Sequence, residues 1–504
     1  MFEALMIGAQ AVLTVQGLLM IVLGVVVGII FGAIPGLSAT MAIALFLPIT
    51  YGLSSINGIV LLVGLYVGGI SGGLISAILT RIPGTPSSVA TCFDGYPMTQ
   101  KGEGMKALGV GVVFSFVGTF LSVIALLFIA PPLAQVALQF GAYEYFAVAL
   151  FSLTMISSLS GKSLVKGLIS GFTGAMFATV GMDMLGSVKR YTLGIDSAMS
   201  GLNILPVMIG MFAVSEILGA AATSRFSPKA EVITVSMKGI KGFGFSLAEF
   251  FGQKWNALRS SLIGIAIGIL PGIGGGVANV IAYGAAKSQS KYPEKFGTGI
   301  IDGVVASETS NNAAIGGAFV PLLSLGIPGD TVTAMLLGGL TIHGISPDPL
   351  MFKANIDIVY GIIIALLLAN VVMLLVEFYG LRGFVALLRI PKQILLPAIF
   401  VFCIVGAFGL NGSMFDVWAV LLFGILGFFF QKMGIPLPPF ILGFIIGPLA
   451  EINLRRGLMF SKGDFTPFFT SPIAAFFLAA TVFSIGFTIY TQVKKSRSTL
   501  TTSL

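Results

Sequence analysis

The sequence predicts an all-α polytopic membrane protein with two inverted structural repeats, Pro-Gly-broken and re-entrant helices, and an extra C-terminal transmembrane helix. Of its 504 residues, 56% are hydrophobic and only 9% are charged, whereas soluble domains are about a quarter charged. Apolar runs of the kind that cross a bilayer recur from end to end, among them 21–34, 109–130, 358–376 and 472–490. The repeats and the breaks follow from two pairs of Pro-Gly motifs.

The formal net charge of +8 does not indicate a nucleic-acid partner. Lys and Arg lie mainly in short loops and in the C-terminal tail, where the positive-inside rule places them, and no basic patch alternates with aromatic residues. Cys92 and Cys403 are far apart and form no disulfide or metal pattern. His343 is the single histidine, so we expect no histidine metal cluster and no cofactor. The N-terminus lacks the basic region of a removable signal peptide.

The first repeated motif is a glycine ladder that ends in Pro-Gly. Residues 32–38 read Gly-Ala-Ile-Pro-Gly-Leu-Ser and residues 268–274 read Gly-Ile-Leu-Pro-Gly-Ile-Gly, and the two prolines are 236 positions apart. The second pair is Arg-Ile-Pro-Gly-Thr-Pro-Ser-Ser at 81–88 and Gly-Ile-Pro-Gly-Asp-Thr-Val-Thr at 326–333, with prolines 245 positions apart. The same order at nearly the same offset predicts an internal duplication.

The chain is accordingly divided into four parts. We predict a first membrane repeat at 1–222, a basic cytoplasmic linker at 223–259, a second membrane repeat at 260–470, and an extra transmembrane helix with a cytoplasmic tail at 471–504.

Loop charges favour an inverted orientation of the second repeat. The loop at 131–142 carries no Lys or Arg, whereas the matching segment 380–393 carries Arg382, Arg389 and Lys392. Basic loops face the cytoplasm, so matching loops are expected on opposite sides of the membrane. The loop at 451–470 goes against this assignment, because it should face outward but carries three basic residues.

The Pro-Gly motifs predict helix breaks at membrane depth. Proline removes a backbone donor, and glycine reaches conformations that other residues avoid. Such a break has to be buried in protein or line a wet cavity. It also creates a helix N-terminus, whose free N–H groups favour an anion.

We therefore expect four half-helix starts to converge on an anion, in the manner of a secondary transporter. The residues at these breaks that we expect to bind substrate are Pro35, Gly36, Ser38, Thr40, Thr85, Ser87, Ser88, Pro271, Gly272, Gly274, Gly275, Gly276, Asp330 and Thr331. The alternative is that a Pro-Gly pair only kinks its helix. For Gly24 and Gly28 in the ladder, helix packing is the favoured interpretation.

A second predicted site is a cation site around Glu308. Residues 307–312 read Ser-Glu-Thr-Ser-Asn-Asn, and in a helix Asn311 and Asn312 share the face of Glu308. A carboxylate, amides and carbonyls suit a hard cation, so Ser307, Glu308, Asn311 and Asn312 predict sodium binding, with protons as the alternative. An equally weighted interpretation is a wet interfacial turn. Arg81 could pair with a substrate carboxylate, but a membrane-edge position is favoured.

Enzyme signatures mostly fail in this sequence. No Ser/His/Asp set is credible because the only histidine is isolated. Asp302 and Glu308 are six residues apart and so lie on different helix faces. A membrane enzyme that uses Glu308 is the competing class.

The ordered motifs closely resemble the large membrane subunit of tripartite tricarboxylate transporters. The resemblance is carried by 32–38, by Ile-Pro-Gly-Thr-Pro-Ser-Ser at 82–88, by Phe-Asp-Gly-Tyr-Pro-Met at 93–98 and by the second-half runs at 268–276, 325–330 and 343–349. It covers nearly the whole chain. It implies that the Pro-Gly motifs shape the substrate region, which adds Gly84 and Gly329 to the expected site.

The resemblance also implies a function. We expect a permease of the bacterial inner membrane that imports di- or tricarboxylates, such as citrate, with cations, sodium being favoured. The implied partners are a small membrane subunit and a periplasmic substrate-binding protein. The alternative within transport is a permease for another small organic anion with proton coupling.

Overall fold

Nearly all regular structure in the protein is helical. The computed structural model describes residues 1–159, 163–183, 185–223, 243–272, 274–387 and 392–501. The helices before residue 224 are α1 Phe2–Val12, α2 Val15–Ala33, α3 Ala39–Thr50, α4 Ser55–Thr80, α5 Thr91–Gln100, α6 Gly104–Ala137, α7 Ala142–Leu159, α8 Leu164–Phe177, α9 Ile204–Met208 and α10 Ser215–Thr223. A π-helical segment, Ile209–Val214, joins α9 to α10, and a short hairpin pairs β1 Gly181–Met182 with β2 Lys189–Arg190.

The later part of the chain continues in the same way. Its helices are α11 Leu247–Gly252, α12 Lys254–Ile269, α13 Gly274–Gln289, α14 Ile301–Leu325, α15 Thr331–Ile342, α16 Met351–Ala354, α17 Ile356–Leu387, α18 Lys392–Asn411, α19 Met414–Lys432, α20 Pro438–Phe460, α21 Thr466–Thr470 and α22 Pro472–Thr501. Single 3-10 turns occur at Pro86–Ser88, Asp196–Ser200 and Pro293–Lys295.

The prediction of an all-α polytopic membrane protein is confirmed. Within the described residues, six helices are long and apolar enough to cross a membrane: Val15–Ala33, Ser55–Thr80, Gly104–Ala137, Ile204–Ala222, Ile356–Gly380 and Met414–Lys432. Among these, α4 is buried from Asn57 to Leu79. The more polar α14 is also buried from Gly303 to Ser324. These two helices therefore form the centre of the molecule.

The glycine ladders are helix contacts in both halves. A Cβ on Gly24 would lie 2.4 Å from the Leu61 carbonyl oxygen in α4, and one on Gly28 would lie 2.5 Å from that of Leu65. In the second half, a Cβ on Gly264 would lie 2.3 Å from the Ser310 carbonyl oxygen in α14. The backbones of α2 and α4, and of α12 and α14, thus approach as closely as small residues allow.

Corresponding elements make corresponding contacts. The α2–α4 pair matches α12–α14, and the contact of α3 with α15 matches that of α13 with the turn Pro86–Ser88. Packing of α6 on α14 likewise matches packing of α17 on α4. These pairs fit a two-fold relation between the halves, and their inverted orientation stays a prediction.

Some predicted boundaries fall inside helices. The predicted linker 223–259 includes α11 and the start of α12; its segment 224–242 lies outside the described residues. The loop predicted at 131–142 is helical up to Ala137, because Ala130, Ala134 and Ala137 continue the buried face of α6 past its two prolines. In the basic segment 380–393, α17 runs to Leu387 and α18 begins at Lys392, and 388–391 lies outside the described residues.

The loop whose charge conflicted with the predicted topology contains an ion-pair cluster. Arg455 of α20 contacts Asp183 at 2.7 Å and Glu451 at 3.2 Å, and Arg190 of β2 contacts the same two carboxylates at 2.9 and 2.7 Å. Hydrogen bonds from Arg455 lower the pKa of Asp183 to about 2. Arg455 and Arg190 therefore join α20 to the β1–β2 hairpin through shared carboxylates.

Candidate functional site

The Pro-Gly motifs break the helices where the sequence predicts. The helix α2 ends at Ala33, Gly36 takes φ +90°, and the Ser38 side chain caps α3 by accepting from the Met41 N–H. In the second half α12 ends at Ile269 and Gly272 takes φ +81°. Positive φ is the region that glycine occupies without strain, which explains its place after each proline.

The second motif of each half forms a matching break with a capping box. Asp330 caps α15 by accepting from the Thr333 N–H at 2.7 Å. At the matching place in the first half, Thr85 and Ser88 cap only the 3-10 turn Pro86–Ser88, and α5 follows from Thr91. Of the four expected half-helix starts, three are therefore α-helical, at α3, α13 and α15, and the fourth is a three-residue turn.

The breaks enclose a cavity of about 800 Å³. It is lined by the starts of α3, α13 and α15 and by the turn Pro86–Ser88. Its other side is formed by α10, the end of α19 and the start of α20. The predicted substrate-site residues that line it are Gly36, Ser38, Thr40, Gly84, Thr85, Ser87, Gly272, Gly274, Gly275, Gly276, Asp330 and Thr331. The structure thus brings together residues from both halves that lie up to about 300 positions apart in the chain.

Four predicted residues do not line the cavity. Pro35 and Pro271 sit in the breaks themselves. Ser88 donates to the Thr85 carbonyl oxygen at 3.0 Å and so holds the turn. Gly329 lies where a Cβ would be 2.5 Å from the Gly268 carbonyl oxygen. Gly84 makes the equivalent approach to Gly32, so both glycines are required for the second break of each half to pack on the end of α2 or of α12.

The groups in the cavity that could bind an anion are backbone N–H donors and hydroxyls, and not basic side chains. None of its described lining residues is Lys, Arg or His. The Asp330 carboxylate, which lines it, accepts hydrogen bonds from the Tyr66 hydroxyl at 2.5 Å and the Thr333 hydroxyl at 2.7 Å. Glycines at the start of α13 leave the backbone accessible. Helix starts of this kind favour negative charge.

Another wall of the cavity was missed by sequence reasoning. Its residues are Phe212, Glu216, Gln431, Leu437 and Pro438. Gln431 donates its side-chain amide to Glu216 at 3.3 Å, which joins α19 to α10. Glu216 and Gln431 are polar residues inside apolar spans, and that pattern could have marked them.

The predicted cation residues divide into two groups. Glu308, Ser307 and Asn312 share one buried polar cluster with Thr91 and Ser115. Glu308 accepts from the Thr91 hydroxyl, from the Ser115 hydroxyl at 3.1 Å and from the Asn312 amide at 3.4 Å. Ser307 accepts from Thr91 at 3.1 Å.

Asn311 belongs to different surroundings. Its amide oxygen lies 2.4 Å from the position of a Cβ on Gly275, at the cavity lining. The amide also interacts electrostatically with Glu308. Asn311 therefore lies between the Glu308 cluster and the cavity.

Glu377 of α17 is a second buried carboxylate that the sequence analysis did not select. It accepts from the Ser71 hydroxyl of α4 at 2.9 Å and is completely buried. An electrostatic interaction couples it to Glu308. Arg81, by contrast, is exposed, does not line the cavity and lies 6.0 Å above the Tyr96 ring.

Comparison with known proteins gives the family. Residues 18–442 match the tripartite tricarboxylate transporter TctA family. The chain is 36% identical over 493 residues to an uncharacterized 52.8 kDa protein in the TAR-I ttuC′ 3′ region of Agrobacterium vitis, which covers 98% of this chain and 97% of the relative.

A second relative is the uncharacterized protein in the TAR-II ttuC′ 3′ region of the same organism. It is 36% identical over 216 residues, which cover 43% of this chain and 89% of the relative. No solved structure matches the chain. The family match spans both Pro-Gly motif pairs and the cavity that they form, and the chain belongs to the tripartite tricarboxylate transporter TctA family.

Proposed function

We propose that the chain is the permease subunit of a binding-protein-dependent secondary transporter that imports di- or tricarboxylates, such as citrate, together with cations. The cavity at the helix breaks carries this proposal. Its lining combines three helix starts, hydroxyl groups and accessible glycine backbone, which is the chemistry that binds carboxylates without a fixed cation. Its volume of about 800 Å³ lies in the usual range of small-molecule sites.

The charge of the cavity supports coupling to cations. Two carboxylates, Glu216 and Asp330, line it, and no described lining residue is basic. A multivalent anion entering a negative cell is opposed by about 2.3 kcal/mol per charge per 100 mV. Cations must therefore enter with the substrate. Sodium is proposed because it needs only oxygen ligands, which the predicted residues Ser307, Glu308, Asn311 and Asn312 carry.

The proposed setting is the bacterial inner membrane. The family name denotes a three-part system, and the proposed partners are a small membrane subunit and a periplasmic substrate-binding protein. The substrate would pass from the binding protein to the cavity at the helix breaks.

The test is uptake of labelled citrate and succinate into proteoliposomes that hold the permease and its partner subunits. We expect uptake to rise with external sodium at fixed pH, to require the binding protein, and to deliver chemically unchanged substrate. Uptake that follows a pH gradient and does not depend on sodium would show that protons, rather than sodium, are the coupled cation. Conversion of the substrate without transport would favour the membrane enzyme instead.

A further inference from the structure

Three oxygen-bearing side chains meet behind the cavity lining where the first half touches α13 and α14. The point of contact is Gly275: a Cβ placed there would lie 2.4 Å from the Asn311 amide oxygen and 3.4 Å from the Ser87 hydroxyl oxygen. One turn further along α13, Asn279 donates its amide nitrogen to the Ser87 carbonyl oxygen. Ser87 and Asn311 thus lie against the turn of α13 that runs from Gly275 to Asn279.

The amide oxygens at this point accept no hydrogen bond from the described residues. Asn279 is 0% exposed and Asn311 is 1% exposed, and the amide oxygens of both lack a partner there. A buried polar atom without a partner costs about 1–3 kcal/mol. Both asparagines adjoin Ser87 and Gly275, so a ligand that binds acceptors at this position would satisfy them.

The matching place in the other half is closed by the protein itself. The offset of the second motif pair places Tyr66 in α4 where Asn311 stands in α14. The Tyr66 hydroxyl donates to Asp330, the cap of α15. The offset of the first motif pair places Ile43 in α3 where Asn279 stands in α13, and Ile43 is completely buried. The first half thus has a donor, Tyr66, and an apolar residue, Ile43, at the two positions where the second half has the amides of Asn311 and Asn279.

We propose that Asn279, Asn311 and Ser87 form a binding site for a hard monovalent cation, separate from the Glu308 cluster. Hard cations take carbonyl and hydroxyl oxygens as ligands. The two partnerless amide oxygens favour a cation over a carboxylate here, although the Asn311 amide nitrogen also lacks a partner among the described residues. This inference rests on the proposed transport function, for which it supplies the position of one coupled cation.

The position explains how a cation and an anion could bind together. Ser87 and Gly275 line the cavity, so the cation would lie directly behind the backbone that faces the carboxylate. Opposite charges at such short range in a poorly solvated site attract strongly. Binding of either ion therefore raises the affinity for the other by the same factor.

The test measures thermal unfolding of the purified protein without substrate in NaCl or in choline chloride at equal ionic strength. A bound cation raises the melting temperature in a saturable way. We expect sodium to stabilise the protein, and Asn279→Ala and Asn311→Ala to raise the half-saturating sodium concentration by about tenfold, the loss of one ligand. Adding citrate should lower the half-saturating concentration in the wild-type protein and not in these variants.

Asn370→Ala is the matched control. Asn370 is a buried asparagine of α17 whose amide donates to the Phe116 carbonyl oxygen at 2.9 Å and whose oxygen also lacks a partner among the described residues. It lies outside the cavity lining, so its loss should lower the melting temperature without moving the sodium midpoint. If Asn279→Ala and Asn311→Ala fail to fold, Ser87→Ala, which removes a half-buried hydroxyl, gives the same readout.

The site is refuted if sodium does not stabilise the wild-type protein or if the variants at Asn279, Asn311 and Ser87 keep its sodium midpoint. Buried water would then be the partner of these oxygens. Sodium-driven uptake with unchanged midpoints would leave the transport function intact and remove the site. Sodium stabilisation that depends on Asn279 and Asn311, with no carboxylate uptake, would keep the site and remove the function.

Discussion

Single glycines shape the cavity because the backbone itself lines it. Gly274 has φ +63° and a Cβ there would lie 2.9 Å from the Asp330 Cβ. Gly275 has no room for a Cβ beside Asn311. Both positions combine a steric limit with exposure to the cavity, so larger residues there should disturb the cavity lining directly.

Replacing Gly274 or Gly275 with valine should abolish carboxylate uptake while the protein still reaches the membrane. The added side chain would cover the N–H groups at the start of α13. Uptake in proteoliposomes and the amount of membrane-inserted protein are measured together. Gly284→Val is the control on the same helix, since a Cβ at Gly284 meets nothing within 4 Å. Normal uptake with Gly275→Val would count against an anion site at this helix start.

At the molecular surface, ion pairs of Arg455 and Arg190 hold the β1–β2 hairpin against α20. Arg455 contacts Asp183 and Glu451, whereas its neighbour Arg456 is exposed and makes no ion pair with the described residues. Hydrogen bonding lowers the pKa of Asp183 from 3.8 to about 2. The ionised carboxylate therefore stabilises the folded hairpin at pH values above 3.8, and this contribution is lost as the pH falls through about 2.

Arg455→Gln should therefore loosen the β1–β2 hairpin at neutral pH. The expected result is faster protease cleavage between 181 and 190 and a lower melting temperature, because Asp183 loses its main hydrogen-bond donor. Arg456→Gln is the matched control and should leave both measurements near wild type. Equal effects of the two substitutions would show that net charge, rather than this ion pair, holds the hairpin.

At the scale of the helices, the close pairs α2–α4 and α12–α14 support the breaks. Each Pro-Gly break follows the C-terminal end of a helix in one of these pairs. Gly84 packs against the carbonyl oxygen of Gly32, and Gly329 packs against that of Gly268. The helix contacts and the break geometry are thus coupled. Lipid gives no hydrophobic drive for two apolar helices to associate, so small residues that allow close packing supply the attraction.

A side chain in the ladder should lower the amount of folded protein. Gly24→Ala places a Cβ 2.4 Å from the Leu61 carbonyl oxygen, and overpacking of this kind costs about 1–3 kcal/mol. The measurement is the yield and melting temperature of detergent-solubilised protein. In Gly111→Ala on α6 the nearest atom would be 3.4 Å away, so that control should behave like wild type. An unchanged yield for Gly24→Ala would contradict the packing role.

At the scale of the whole molecule, the cavity depends on both halves. Its lining alternates between the first and second motif pairs, and the central helices α4 and α14 each pack on an outer helix of the other half. Neither half alone could build the site. The orientation of the halves in the membrane follows from loop charge and stays a prediction.

Cysteine labelling tests this orientation. In a background without Cys92 and Cys403, both of which are buried, cysteines at Gln135 and Lys392 should react with an impermeant reagent from opposite sides of the membrane. Gln135 is exposed at the end of α6. Labelling of both positions from one side would replace the inverted repeat with a parallel duplication.

The sequence by itself determined the membrane class, the duplication and the places where the helices break. Each of these follows from local chemistry: apolar length, the missing donor of proline and the freedom of glycine. Half of the residues that line the cavity were predicted for the same reason, because they sit at the breaks.

Only the tertiary structure decided which side chains share surroundings. Helical spacing suggested that Glu308, Asn311 and Asn312 act together; packing keeps Asn312 with Glu308 and Ser115 but places the Asn311 amide oxygen against Gly275. The partners of these residues come from α6 and α13, far away in the chain, so spacing within α14 could not reveal them. The same holds for Glu216 and Asn279: a long-range contact is fixed by how helices pack, and the local sequence does not record it.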